Sequence, residues 1–191
     1  MTPFLSVNLL QTIVTETNKS SAAASQLAAG LNGEQLNWKP VPDRWSIAQC
    51  LEHLAVATEK FGPYLNAAIS RGREKYSVSN GPAYRPTLMG GWLIKYLLPD
   101  APKRLTAPKI FRPAETAPID GALEHFLKQQ TEFLGFVGQA EGLDYNKTRL
   151  RSPVTPLMRY SLADSFVITV VHGQRHLGQA RRVRETPGFP K

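Results

Sequence analysis

Apolar positions recur at helical spacing in four stretches of the 191-residue chain. In the first, over about residues 2–29, Leu5, Leu9, Ile13 and Val14 form one stripe. Thr2 and Pro3 offer a cap and a first-turn proline, and Gly30 a C-terminal stop. The second stretch, about 46–71, opens with Trp45-Ser46-Ile47-Ala48-Gln49-Cys50. Ser46 and Gln49 make a capping box there, and Trp45 and Cys50 take the two hydrophobic-staple positions. Ile47, Leu54, Phe61 and Leu65 continue the apolar face. The third, about 119–140, is carried by Leu123, Phe126, Leu127, Phe133, Leu134 and Val137. The fourth, about 161–184, starts at a second capping box, Ser161 with Asp164. Its first half is apolar nearly all round (Leu162, Phe166, Val167, Ile168, Val170, Val171), which marks it as buried. No alternating pattern predicts a strand, and there is no internal repeat.

Between the second and third helices lies a connection over residues 72–118 that holds seven of the fifteen prolines. Leu88, Trp92, Tyr96 and Leu97 recur within it at a spacing that suits a short helix over about 87–98. A connection of that length can traverse a bundle, so the second and third helices can run parallel while the outer pairs run antiparallel. The expectation is an all-α, up-down-down-up four-helix bundle with a proline-rich crossover, forming a single domain over residues 1–191.

Charge and cysteine content narrow the function classes. The chain carries 23 basic and 15 acidic residues, a formal +8. Arg175, Arg181, Arg182, Arg184 and Lys191 crowd the last seventeen residues, where cations complement the dipole of a final helix. No basic run alternates with aromatics as a stacking platform requires, so nucleic acid is discounted as a partner. The lone Cys50 excludes an intrachain disulfide and an all-cysteine metal cage, and the expected compartment is a reducing cytoplasm. No apolar run approaches the roughly 18 residues of a membrane span, so no membrane is expected as a partner.

The chemistry rests on four histidines. His172 and His176 are four apart, about 40° around a helix, which puts both imidazoles on one face. They share that face with Ser161, Ser165, Thr169 and Gln179, a polar seam in an apolar element that needs partners. His53 lies on the inward stripe of the second helix near Gln49. A third imidazole reaching the same point completes a three-histidine set able to hold one divalent ion (zinc, nickel, iron or manganese) with positions left open. His125, between core and surface residues, reads as a boundary position, and Cys50 as a small apolar filler behind Trp45.

The segment LNWKPVPDRWSIAQCLEHL from Leu36 to Leu54, taken with HGQRHLGQARRV from His172 to Val183, resembles the DinB/YfiT-like superfamily of metal-dependent enzymes. RLTAPKIFRP, from Arg104 to Pro113, resembles the crossover of many members, and the resemblance covers essentially the whole chain. It implies a four-helix bundle with metal ligands at His53, His172 and His176, and Gln179 fits the pattern too. Gln49, Asp164 and Gln179 are expected to support the ligands from behind.

Two chemistries follow from the resemblance. In one, bacillithiol, mycothiol or glutathione enters the open position, becomes a thiolate, and attacks an electrophilic small molecule. Arg112 and Arg175 are then candidates for holding the thiol's carboxylates. In the other, the ion activates water against an ester or amide, which calls for a nearby carboxylate base. Glu52 and Glu59 point away from His53 by helical-wheel arithmetic, and Asp164 is engaged as a cap. That leaves only Asp100 or Glu115 of the crossover, and the balance tilts toward a thiol S-transferase. A non-catalytic, metal-binding stress-response protein is the further alternative. Trp92, Leu93, Tyr96 and Leu97 are expected to cover the core or to form a homodimer surface.

Overall fold

A computed structural model describes residues 8–78, 81–101, 106–114 and 118–191. It is mostly helical: α1 (Leu9–Ala28), α2 (Gly33–Asn37), α3 (Ile47–Lys75), α4 (Leu88–Leu97), α5 (Ala122–Gln139) and α6 (Leu162–Arg184). A small antiparallel hairpin joins β1 (Arg149–Arg151) to β2 (Arg159–Ser161), and a 3-10 turn spans Lys109–Phe111. Among the described residues no helix is long and apolar enough to cross a membrane.

Capping sets most boundaries. Both expected capping boxes form: the Ser46 hydroxyl accepts from Gln49 N while the Gln49 side chain accepts from Ser46 N, and Ser161 pairs with Asp164 in the same way. Gly30 ends the first helix with a φ of +74°, a left-handed conformation that glycine adopts without strain. Other boundaries differ from the sequence reading. The described first helix is capped by Asn8, whose side chain accepts from Gln11 N, and Thr2 and Pro3 lie outside the described residues. The third long helix begins at Ala122 rather than near residue 119, because Asn37 binds both the N–H and the carbonyl of Ile119 and Gly121 then turns the chain with φ +69°. The hairpin and the five-residue α2 were not expected. Three-residue strands and a single capped turn are too short to display a hydrophobic period.

The four long helices pack in a cycle, with α1 against α5 and α6, and α3 against the same two. Two buried clusters fill the interior. One gathers Leu9, Ile13, Leu65, Phe133, Phe166 and Val167, the other Ile47, Leu51, Leu54, Phe126, Leu177 and Val183. Helix α4, in the crossover, packs on α6 and β2, and its Leu93 and Leu97 sit against the first cluster. This placement makes α4 one wall of a large cavity beside α3 and α6.

Candidate metal centre

His53 from α3 and His172 and His176 from α6 converge, and one candidate ligand atom from each lies within 4.8 Å of the others. Ring centroids are 4.6–4.9 Å apart and the rings meet edge to face. The four-residue spacing on α6 therefore does what helical geometry predicts, and the inward stripe of α3 delivers the third ring.

The hydrogen bonds determine which atoms are available. His53 Nδ1 lies 2.7 Å from the Phe111 carbonyl, which can only accept, so Nδ1 carries the proton and Nε2 keeps its lone pair. That Nε2 is 3.1 Å from His172 Nε2. Two nitrogens on one divalent ion, each about 2.0–2.1 Å from it at tetrahedral to right angles, stand about 2.9–3.4 Å apart, so the observed spacing fits shared coordination. His176 adds a buried Nδ1 with no hydrogen-bond partner among the described residues, a polar atom whose burial is unfavourable unless something binds it. The donor set and the orphaned nitrogen both fit a divalent ion of the borderline class.

Electrostatics keep the rings neutral. Burial lowers the pKa of His53, and the Phe111 bond opposes it. His172 is held well below the ordinary value, first by burial and then by repulsion from His176, His53 and Arg175. Burial pushes His176 down to about 3, with His53 and Arg175 adding to the effect and the Gln179 side chain opposing it. Neutral imidazoles are the form that ligates metal. In the unfolded chain each histidine takes a proton near pH 6.5. Below that pH the unfolded state binds more protons than the folded one, so these groups contribute stability that is complete above about pH 6.5 and lost on acidification. Metal-free protein is expected to show a urea unfolding free energy that falls as the pH drops below about 6.5 toward pH 5. His176→Gln is expected to flatten that dependence by up to about 1.4 kcal/mol per pH unit.

The centre opens on a cavity of about 1200 Å³. Trp45 covers it, with its ring 4.8 Å from His53 and stacked on His176 at 5.6 Å. The staple position thus serves the site as well as the helix start. Trp92, Leu93, Tyr96 and Leu97, expected as core cover or a dimer surface, all line the cavity. Arg175 and Gln179 line it too, and Arg175 Nη1 donates to the Leu98 carbonyl at the end of α4.

The remaining candidates make the following contacts. Arg112 Nε donates to the Ala107 carbonyl and braces the crossover. Gln49 reaches the centre only indirectly, since its Nε2 donates to the Ala114 carbonyl and clamps the segment that presents Phe111 to His53. Asp164 turns toward Ser161, Tyr84 and Thr87 at the start of α6, away from the histidine pair. His125 pairs with Glu52 at 3.0 Å, which also confirms that Glu52 points away from His53. Cys50 is fully buried and burial pushes its thiol up to about 12, the behaviour of an inert filler. Asp100 and Asp43 stand on the cavity wall, and Glu115 lies outside the described residues. The Phe111 carbonyl has no counterpart in the sequence reading, because any residue type offers the same acceptor.

The family model of the DinB superfamily matches residues 16–180, a span that contains all three histidines and the crossover. A search of curated proteins and a search of solved structures each find no match to the chain.

Proposed function

The chain belongs to the DinB superfamily, and on that premise we propose that it is a metal-dependent enzyme that transfers a low-molecular-weight thiol onto an electrophilic small molecule. The observation that carries this reading is the convergence of three neutral imidazoles, with no carboxylate in the cluster among the described residues, at the edge of a large cavity. His53, His172 and His176 are the ligands, and zinc, nickel, iron or manganese suits an all-nitrogen set of this size. When bound, the ion would supply the Lewis acidity that keeps a thiol ionised at neutral pH. The chain's own residues do the rest. Phe111 holds the His53 ring in one tautomer, Trp45 shields the imidazoles from water, and Gln179 supports His176. Arg175, tethered to the Leu98 carbonyl, presents a cation at the cavity wall suited to a carboxylate of the thiol.

The proposal includes the finer architecture, one up-down-down-up bundle spanning the chain, which the cyclic packing of α1, α5, α3 and α6 supports. It also includes a cytoplasmic setting, in keeping with the free, buried Cys50. Hydrolysis is the second reading, favoured by Asp100 and Asp43 on the cavity wall as possible bases. The test supplies metal-loaded protein with monochlorobimane and, separately, bacillithiol, mycothiol or glutathione. Conjugation that requires one thiol, stops on chelation and survives in Asp100→Asn supports transfer. Thiol-independent cleavage of a model ester that is lost in Asp100→Asn supports hydrolysis. Metal binding without turnover in either assay leaves a non-catalytic metal-binding protein.

A further inference from the structure

The hairpin carries an unusual cross-strand pair. Arg151 lies directly opposite Arg159 in the β1–β2 register, and Arg149 shares their outward face while Leu150 and Tyr160 point into the core. Like charges in directly opposed positions are destabilising. None of the three arginines makes an ion pair or hydrogen bond with a side chain among the described residues, so the face carries uncompensated positive charge.

Next to this charge, large apolar side chains project into water. Leu88, the first residue of α4, is 97% exposed and Leu157, in the hairpin turn, is 90% exposed. Trp92 and Val154 are 48% and 42% exposed. Leu88 and Trp92 lie on one face of α4 with Lys95, within about 60° of helix arc. Helix α4 packs on β2, so the two elements adjoin, and Trp92 and Val154 also line the metal cavity.

We propose that α4 and the β1–β2 hairpin form a docking face for the anionic surface of a lipid bilayer. Leu88, Trp92, Val154 and Leu157 enter the headgroup region, and Arg149, Arg151 and Arg159 contact lipid phosphates. No spanning helix is needed for such association, since the protein lies on the surface. Apolar side chains projecting from a helix start, a helix face and a turn, beside arginines, suit a fluid anionic interface better than the flat, close-packed contact of a protein partner. A symmetric pairing with a second copy would bring this cationic face against itself. The inference is independent of whether the histidine centre turns over a substrate.

The test is co-sedimentation of the full chain with vesicles of phosphatidylcholine alone or mixed equally with phosphatidylglycerol, at low and high salt. Binding is expected only to the anionic vesicles, and salt at several times the physiological level is expected to release it. Arg151→Gln with Arg159→Gln is expected to weaken partitioning roughly 30-fold with an unchanged circular dichroism spectrum. Leu157→Ser, at an exposed site, is expected to weaken it as well. Equal binding to neutral vesicles, no binding to either, or full retention of the arginine variant would each overturn the proposal. Sedimentation velocity provides the remaining arm: a dimer that Leu157→Ser converts to monomer assigns the face to a second copy and overturns it too.

Discussion

Replacing His176 by alanine is expected to leave the purified protein without bound divalent metal, where the unmodified chain retains about one ion per molecule. His176 provides one of three imidazoles within 4.8 Å, and its buried Nδ1 has no other partner among the described residues. Loss of a residue that merely supports a ligand typically lowers metal affinity 10–100-fold, so loss of a ligand is expected to exceed about 100-fold. His125→Ala serves as the control. That ring bonds Glu52, which lies about 100° around α3 from His53, and its loss is expected to leave the metal content unchanged. Elemental analysis after dialysis measures both. Thermal unfolding gives an independent check, because an ion present at a thousand times its dissociation constant stabilises the folded state by about 4 kcal/mol. Chelation should then lower the melting temperature of the wild type and of His125→Ala, but not of His176→Ala. Equal metal loss from both variants, or from neither, would remove the basis of the metal assignment.

Asp164→Ala is expected to destabilise the fold by about 3–5 kcal/mol, the range for breaking a buried polar network. The carboxylate is fully buried and accepts from four groups: Tyr84 Oη and Thr87 Oγ1 at 2.8 Å each, Ser161 N at 3.0 Å, and Thr87 N at 3.3 Å. One side chain thus caps α6 and fastens the start of α4. Gly90 belongs to the same lock, because a Cβ there would sit 2.2 Å from Asp164 Cγ, far inside contact distance. Gly90→Ala must therefore displace the carboxylate and is expected to lose a similar amount. The double variant is expected to lose little more than either single one, since both damage the same network. Urea unfolding measures the three values. Limited proteolysis adds a local readout: cleavage within the crossover should accelerate in both single variants, because α4 loses its anchor. Full additivity would separate Gly90 from the Asp164 network.

Much of this architecture could be read along the chain. The long helices follow from apolar stripes, and the two capping boxes locate the starts of α3 and α6 to the residue. His172 and His176 share a face because four residues advance a helix by slightly more than one turn. Each of these is local, a relation between residues a few positions apart, and local geometry is what a one-dimensional pattern encodes. The pattern says less where the deciding partner is remote. Asp164 is expected from the sequence both to cap α6 and to support the histidines. The crossover captures it, through Tyr84 and Thr87, nearly eighty residues away in sequence. Arg112 is a ligand candidate by its charge, and the fold adds a bond from its Nε to the Ala107 backbone that no pattern in the chain indicates.

The sequence by itself determined the helices, their caps, and the residue types able to hold an ion, because hydrophobic period and capping act over a single turn. Only the tertiary structure decided that His53 meets the pair on α6, that the Phe111 carbonyl selects its tautomer, and that α4 and Trp45 enclose a cavity around the centre. These depend on where distant segments are packed, and on a backbone carbonyl that every residue carries alike, so nothing in the order of side chains could have marked them in advance.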